Sequence, residues 1–232
     1  MGNIGIKREN DRIFRNGSFP DMRSETVAEL AELPEISREV PYRVEDNTVR
    51  QTTVQAILDN ADSGKVIALN FANAMYPGGG YVLGGNAQEE SLCRASLLYY
   101  TIKTQKRYYR KNRLHVLPNY TDIMIYSENV PVIRDDSGAK LEDPLTCAFI
   151  TCPAVNRTFA KFMMRGKKID RIMRTRIKRI INLAVMKEPD VIVLGAFGCG
   201  MFGNKREKVL PVFEEMINLY IPDKIKVIFA IP

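Results

Sequence analysis

The sequence predicts an α/β layered domain built on a mixed, mostly parallel sheet flanked by helices. Short apolar runs suited to buried strands alternate with amphipathic helical stretches. Two of those runs, residues 65–70 and 191–194, lead straight into glycine-rich loops that are followed by helices. In sheets built this way ligands bind beyond the strand C-termini, so both glycine loops are expected at one edge of the sheet.

Composition narrows the class. A chain of 232 residues, 45% of them hydrophobic, can fill one substantial core. There is no bilayer-spanning apolar run, and MGNIGIKREN lacks the hydrophobic segment of a secretory signal, so a soluble cytoplasmic protein without a membrane partner is expected. Cys93, Cys147, Cys152 and Cys199 are scattered, with no CxxC pair and no neighbouring histidine, which argues against a zinc site and against a disulfide framework. His115 is the single histidine, so Ser-His-Asp hydrolases, HExxH proteases and multi-histidine metal sites are all disfavoured. No metal and no cofactor are expected.

In chain order, residues 1–47 read as a polar accessory arm, with a helix over 24–33 that Ser24 caps, and a short strand over 42–45. The main domain is expected over 48–232. It begins with a helix through Asn60, capped by Asn47 or Thr48 and carrying Val54, Ile57 and Leu58. A strand at 65–70 follows, then the first glycine loop, then a helix over 87–107 that is bent where tyrosines and bases accumulate. Residues 122–127 and 145–151 read as strands, joined by extended chain with an Asp-Ser-Gly turn. The helix over 167–186 has apolar residues at helical spacing and bases opposite, and Pro189 ends it. Strand 191–194, the loop 195–204, a helix over 205–219 and a strand over 226–231 complete the chain.

The stretch LNFANAMYPGGGYVLGGNAQEESLCRAS, residues 69–96, concentrates unusual residues. Gly78, Gly79 and Gly80 let the backbone pass close to a ligand, while Gln88, Glu89 and Glu90 crowd the first turn of the next helix. Exposed loop N–H groups and the positive end of a helix dipole favour a phosphate-containing ligand. A carboxylate in a first helical turn also simply complements the dipole. Net charge is +7 and uneven: residues 161–179 hold nine bases against Asp170 alone, and a second run from Lys103 to Arg113 is interleaved with Tyr99, Tyr100, Tyr108 and Tyr109. Such surfaces suit a polyanion, and equally suit solvated helix faces.

These motifs resemble the microbial type of poly(ADP-ribose) glycohydrolase, a variant of the macrodomain fold. Its signature is GGG followed after a short spacer by QEE; here Gly78-Gly79-Gly80 and Gln88-Glu89-Glu90 flank the seven residues YVLGGNA. NFANAMYPGGG resembles the family's asparagine-bearing strand end, YSENVPVIRDD its middle segment, and LGAFGCGMFGN its second phosphate loop. The likeness covers about residues 48–232 and implies a three-layer fold. It implies hydrolysis of the ribose–ribose bond in poly(ADP-ribose), releasing ADP-ribose, with Glu90 at the catalytic position. It also implies that Asn73 contacts the distal ribose, that Phe202 packs beside the terminal ribose, and that Gly78–Gly80 face Gly198, Cys199, Gly200 and Met201 across the diphosphate. Cys199 reads as a small loop residue, not a nucleophile.

The chemistry is consistent. Most glycosidases place two carboxylates roughly 5 to 9.5 Å apart across the scissile bond. Adjacent residues on a helix point about 100° apart from one backbone, so Glu89 and Glu90 divide the work instead. Glu90 is expected to act as general acid and then base, Glu89 to position the ribose, and Gln88 to contact substrate. Two further readings stand beside this one: a macrodomain that binds ADP-ribose without cleaving it, which needs the loops but not the acid of QEE, and a hydrolase of mono-ADP-ribosyl conjugates on proteins or of small ADP-ribose derivatives, which shares every motif. Nucleic acid is a less favoured partner, since it leaves both glycine loops unexplained. Lys167, Lys168, Arg171, Arg174 and Arg176 are expected to hold polymer units beyond the one being cleaved.

Overall fold

A computed structural model of the chain describes residues 2–36 and 38–232. Seven strands form its sheet: β1 (Arg23–Val27), β2 (Thr48–Val49), β3 (Val66–Phe71), β4 (Met124–Arg134), β5 (Lys140–Cys152), β6 (Val191–Leu194) and β7 (Lys226–Ala230). They lie in the order β1-β4-β5-β3-β6-β7-β2. The β1–β4 and β4–β5 pairs are antiparallel, and β5–β3, β3–β6, β6–β7 and β7–β2 are parallel, so the sheet is mixed and mostly parallel as expected.

Strand β3 shows why three layers form. Its side chains alternate, so Ile67 and Leu69 enter one core and Val66 and Ala68 the other. The first core is closed by α7 (Gly166–Met186) and α8 (Arg206–Tyr220), through Ile169, Met173, Ile177, Val209 and Phe213. The second is closed by α2 (Thr53–Leu58), α3 (Gln88–Ala95), α4 (Leu98–Ile102) and α5 (Lys106–Leu114), through Ile57, Leu92, Leu98 and Tyr108. Each fully buried aliphatic or aromatic side chain of this kind contributes about 1.5–3 kcal/mol. The remaining helices are α1 (Asn3–Asn16) and the single turn α6 (Arg157–Ala160). Among the described residues, no helix is long and apolar enough to cross a membrane.

Several expectations are corrected, most of them before Lys65. Helix α1 went unread. The helix expected over 24–33 is instead the strand β1, whose Ser24 and Thr26 bond Gln105 while its backbone pairs with β4. The strand expected over 42–45 is absent, because those backbone N–H groups bond side chains of α8: Tyr42 to Asn218 and Val44 to Glu214. Thr52, not Asn47 or Thr48, caps α2, accepting from Gln55 N at 3.1 Å. The helix expected over 87–107 is divided where Ser96 turns extended and bridges Val132, after which Leu97 N donates to Pro131 O. The second basic run also differs: Tyr100, Tyr108 and Tyr109 are buried and face the core, not a polyanion.

Candidate active site

The end of β3 and the start of α3 are tied together by one side chain. Phe71 N donates to Gln88 Oε1 at 2.9 Å, while Gln88 Nε2 donates to Leu69 O at 2.8 Å and to Thr53 Oγ1 at 3.1 Å. These bonds satisfy backbone groups that the ending strand leaves unpaired. Gln88 therefore borders the pocket while its amide bonds hold the end of β3 to the start of α3.

That clamp sets the two carboxylates. Glu89 is buried; its Oε2 accepts from Asn73 N at 2.7 Å and its Oε1 from Asn70 Nδ2 at 3.3 Å. Burial, reinforced by the Glu90 charge, pushes the Glu89 carboxyl up to about 8, against the pull of the Asn73 and Asn70 bonds. Glu90 has a different surrounding. Its Oε1 accepts from Gly80 N at 2.7 Å, whereas its Oε2 is buried without a partner among the described residues. Both carboxylates line the pocket.

The triple glycine is tied to both carboxylates. Gly80 N donates to Glu90 Oε1 and Gly78 N to the Glu89 carboxyl, so the loop packs against the two carboxylates that line the pocket. Gly79 has φ +54°, and a Cβ there would sit 2.6 Å from Glu90 Oε1, so only glycine lets the loop approach this closely. Asn73 borders the pocket. Its Oδ1 accepts from Met75 N and Tyr76 N, which fixes the turn and leaves its amide nitrogen without a bond among the described residues.

The opposite wall is the loop after β6, where Gly198, Cys199, Gly200, Met201 and Phe202 all border the pocket. Gly198 has φ +70° and lies against Ala154, so it serves closure of the loop. The N–H groups of Gly200, Met201 and Phe202 make no bond among the described residues, which suits them to an anion. Burial pushes the Cys199 thiol up to about 11, in keeping with a residue that is not a nucleophile. The Phe202 ring is half-buried, 6.1 Å from the Tyr120 ring. Between the two walls lies a cavity of about 690 Å³, within the range of roughly 300–1,000 Å³ usual for small-molecule sites. Thr52, Asp136 and Arg206 also line it, and the sequence reading missed them. Thr52 Oγ1 bonds Asp136 across the rim, and Arg206 opens α8 directly after the glycine loop, where a cation beside an anion site was the available signal.

A family model for the microbial-type PARG catalytic domain matches residues 7–135. Among solved structures, poly(ADP-ribose) glycohydrolase (PARG) from Thermomonospora curvata is 30% identical, with TM-score 0.82 over 98% of this chain and 92% of that one. The chain belongs to the microbial-type PARG family. The T. curvata enzyme bound to the inhibitor ADP-HPD is similar at 28% identity and TM-score 0.80, again over 98% and 92% of the two chains. Deinococcus radiodurans PARG in complex with ADP-ribose is similar at 30% identity and TM-score 0.73, over 90% of this chain and 86% of that one. No curated protein matches the chain. Membership makes the chain a glycosidase of the poly(ADP-ribose) glycohydrolase type, and the match from residue 7 takes in most of α1, which the sequence reading had left outside the resemblance.

Proposed function

We propose that this protein releases ADP-ribose from poly(ADP-ribose) by hydrolysing the ribose–ribose O-glycosidic bond, with Glu90 as general acid and then general base. The observation that carries the reading is the asymmetry of the Glu90 carboxyl. One oxygen is fixed by Gly80 N–H, and the other is buried at the pocket wall with no partner among the described residues. A pure binding module has no use for such an atom. In its protonated form that oxygen gives its proton to the departing ribose oxygen as the glycosidic bond breaks and the anomeric carbon becomes oxocarbenium-like. The resulting carboxylate then takes a proton from water attacking that carbon.

Glu89 works beside Glu90 by positioning, since both its oxygens accept bonds from within the protein. It fixes the loop at Asn73, whose free amide nitrogen is the group available to the distal ribose. The unpaired N–H groups at Gly200–Phe202, with Arg206 beside them, receive the diphosphate. Phe202 borders the terminal ribose. The substrate is poly(ADP-ribose) or an ADP-ribosylated protein, and four free cysteines fit a reducing, cytoplasmic setting.

The test is release of ADP-ribose from purified poly(ADP-ribose) and from mono-ADP-ribosylated protein. Glu90→Gln is expected to lower turnover of polymer about a hundredfold or more while leaving ADP-ribose affinity within a small factor. Near wild-type cleavage by that variant would refute the assignment, and preferential release from the mono-modified protein would move the substrate class.

A further inference from the structure

We propose that residues 158–168, beside the 198–202 loop, form the binding surface for the ADP-ribose unit next to the one in the pocket. Phe159 and Phe162 receive its adenine, and Lys161, Arg165, Lys167 and Lys168 receive its diphosphate. The inference rests on the reading of the chain as an enzyme of ADP-ribose polymer.

The segment is fastened to the pocket wall. Thr158 Oγ1 donates to Met201 O at 3.2 Å and Thr158 N to Phe202 O at 3.3 Å. Phe159 is 61% exposed and Phe162 78%, although aromatic side chains normally supply core area. Met201, on the loop itself, is exposed as well. Contiguous apolar side chains at a surface mark an interaction site, and flat rings beside a nucleotide pocket suit a base, every one of which offers a π-face.

Charge selects the same ligand. Of the five bases of α7 expected to form a polymer track, two are engaged elsewhere: Arg176 is fully buried against Asp122 and the carbonyls of Pro153 and Asn119, and Arg174 pairs with Glu215. Arg157 and Lys208 pair with Asp170. At the start of α7 and just before it, Lys161, Arg165, Lys167 and Lys168 are exposed and enter no ion pair among the described residues. Lys161 Nζ lies 5.0 Å from the Phe162 ring centroid, so cation and ring stand in one patch. Aromatic faces interleaved with unpaired cations match the alternation of base and diphosphate along an ADP-ribose chain.

The experiment compares affinities for free ADP-ribose, an ADP-ribose trimer and an oligoadenylate of matching charge, using Glu90→Gln protein so that the polymer stays whole. Adding Phe159→Ala and Phe162→Ala is expected to weaken the trimer about tenfold or more, since stacking changes affinity roughly 5- to 150-fold per base. Free ADP-ribose affinity should not change. Lys167→Glu with Lys168→Glu should weaken the trimer similarly, with a shallower salt dependence. Unchanged trimer affinity in the phenylalanine variant, or an equal loss for free ADP-ribose, would overturn the proposal. So would an oligoadenylate that binds as tightly as the trimer and loses as much, which would make the patch a nucleic-acid surface. Turnover by the wild-type chain is scored separately: its absence would remove the hydrolase reading, while the trimer comparison still decides the patch.

Discussion

Glu89 and Glu90 are neighbours in sequence with opposite surroundings, and the difference lies in what faces each carboxyl. Glu89 is closed in by Asn73 and Asn70, and its carboxyl is pushed from 4.5 up to about 8, chiefly by burial. Between those two values the folded chain keeps a proton that the unfolded chain has released. Stability contributed by the neutral carboxyl is therefore whole below about pH 4.5 and is lost as pH rises through about 8. Glu89→Gln keeps the shape and an acceptor for Asn73 N but has no proton to lose. Urea unfolding at pH 5, 6.5 and 8 should show wild type losing stability relative to the variant, on the order of a few kcal/mol across the range. A constant difference would mean that Glu89 stays ionised throughout. The pair itself was legible in QEE. The clamp made by Gln88 was not, because it answers backbone groups left open by the end of β3, and those exist only once the strand has a register.

At the scale of elements, sequence and structure agree best where apolar side chains alone decide. Val191–Leu194 was read to the residue, and α7 within one residue of its start, since each buries a continuous apolar run or face. Helix α1 docks through both kinds of side chain: Ile6 is buried and the Phe14 ring stacks on Tyr100, but the deepest residue is polar. Asn10 is fully buried, donating to Arg94 O at 2.9 Å and to Tyr81 OH at 3.3 Å, and accepting from Arg134 Nε at 3.0 Å. Arg134, itself buried, also pairs with Glu9 at 2.7 Å. Asn3 Nδ2 donates to Gly84 O, so α1 braces the same 78–85 loop whose Gly80 N–H holds Glu90. Ile6, Ile13 and Phe14 share one face, but Asn10 sits deepest within the charged run 7–12, where nothing in the sequence marks it as buried. Asn10→Leu fills similar space but leaves the Arg134 Nε–H and the Arg94 carbonyl without that partner, at a cost of about 1–3 kcal/mol for each buried group left unsatisfied. The expected result is a lower melting temperature together with a fall in kcat, while KM for polymer changes little. Loss of stability with kcat intact would show that α1 anchors the fold without bracing the loop.

At the scale of the whole molecule, the first 49 residues supply both edges of the sheet. β1 covers β4 at one edge and β2 covers β7 at the other. The chain between them lies along α8, where Ile36 N donates to Leu219 O, Tyr42 exchanges bonds with Asn218, and Val44 N reaches Glu214. Residues 2–36 and 38–47 thus pack along the domain as a strap, which the sequence announces poorly because β1 (Arg-Ser-Glu-Thr-Val) is a half-exposed edge strand with little apolar signal. Two truncations separate its functions. Removing residues 1–17 takes away α1 and leaves both edge strands, so the product should stay soluble and unfold cooperatively, with polymer turnover reduced because the 78–85 loop has lost its brace. Removing residues 1–47 strips β1 from the eleven-residue strand β4 and uncovers Tyr220 and Phe229, which pack in the core shared with Tyr42 and Val44. An open edge of that length templates pairing with other chains, so this product should aggregate or melt without a cooperative transition. Solubility, a thermal melt and ADP-ribose release on the two products make the comparison. A soluble, cooperative and active 48–232 fragment would show that the strap is dispensable and that the domain folds from β2 onward by itself.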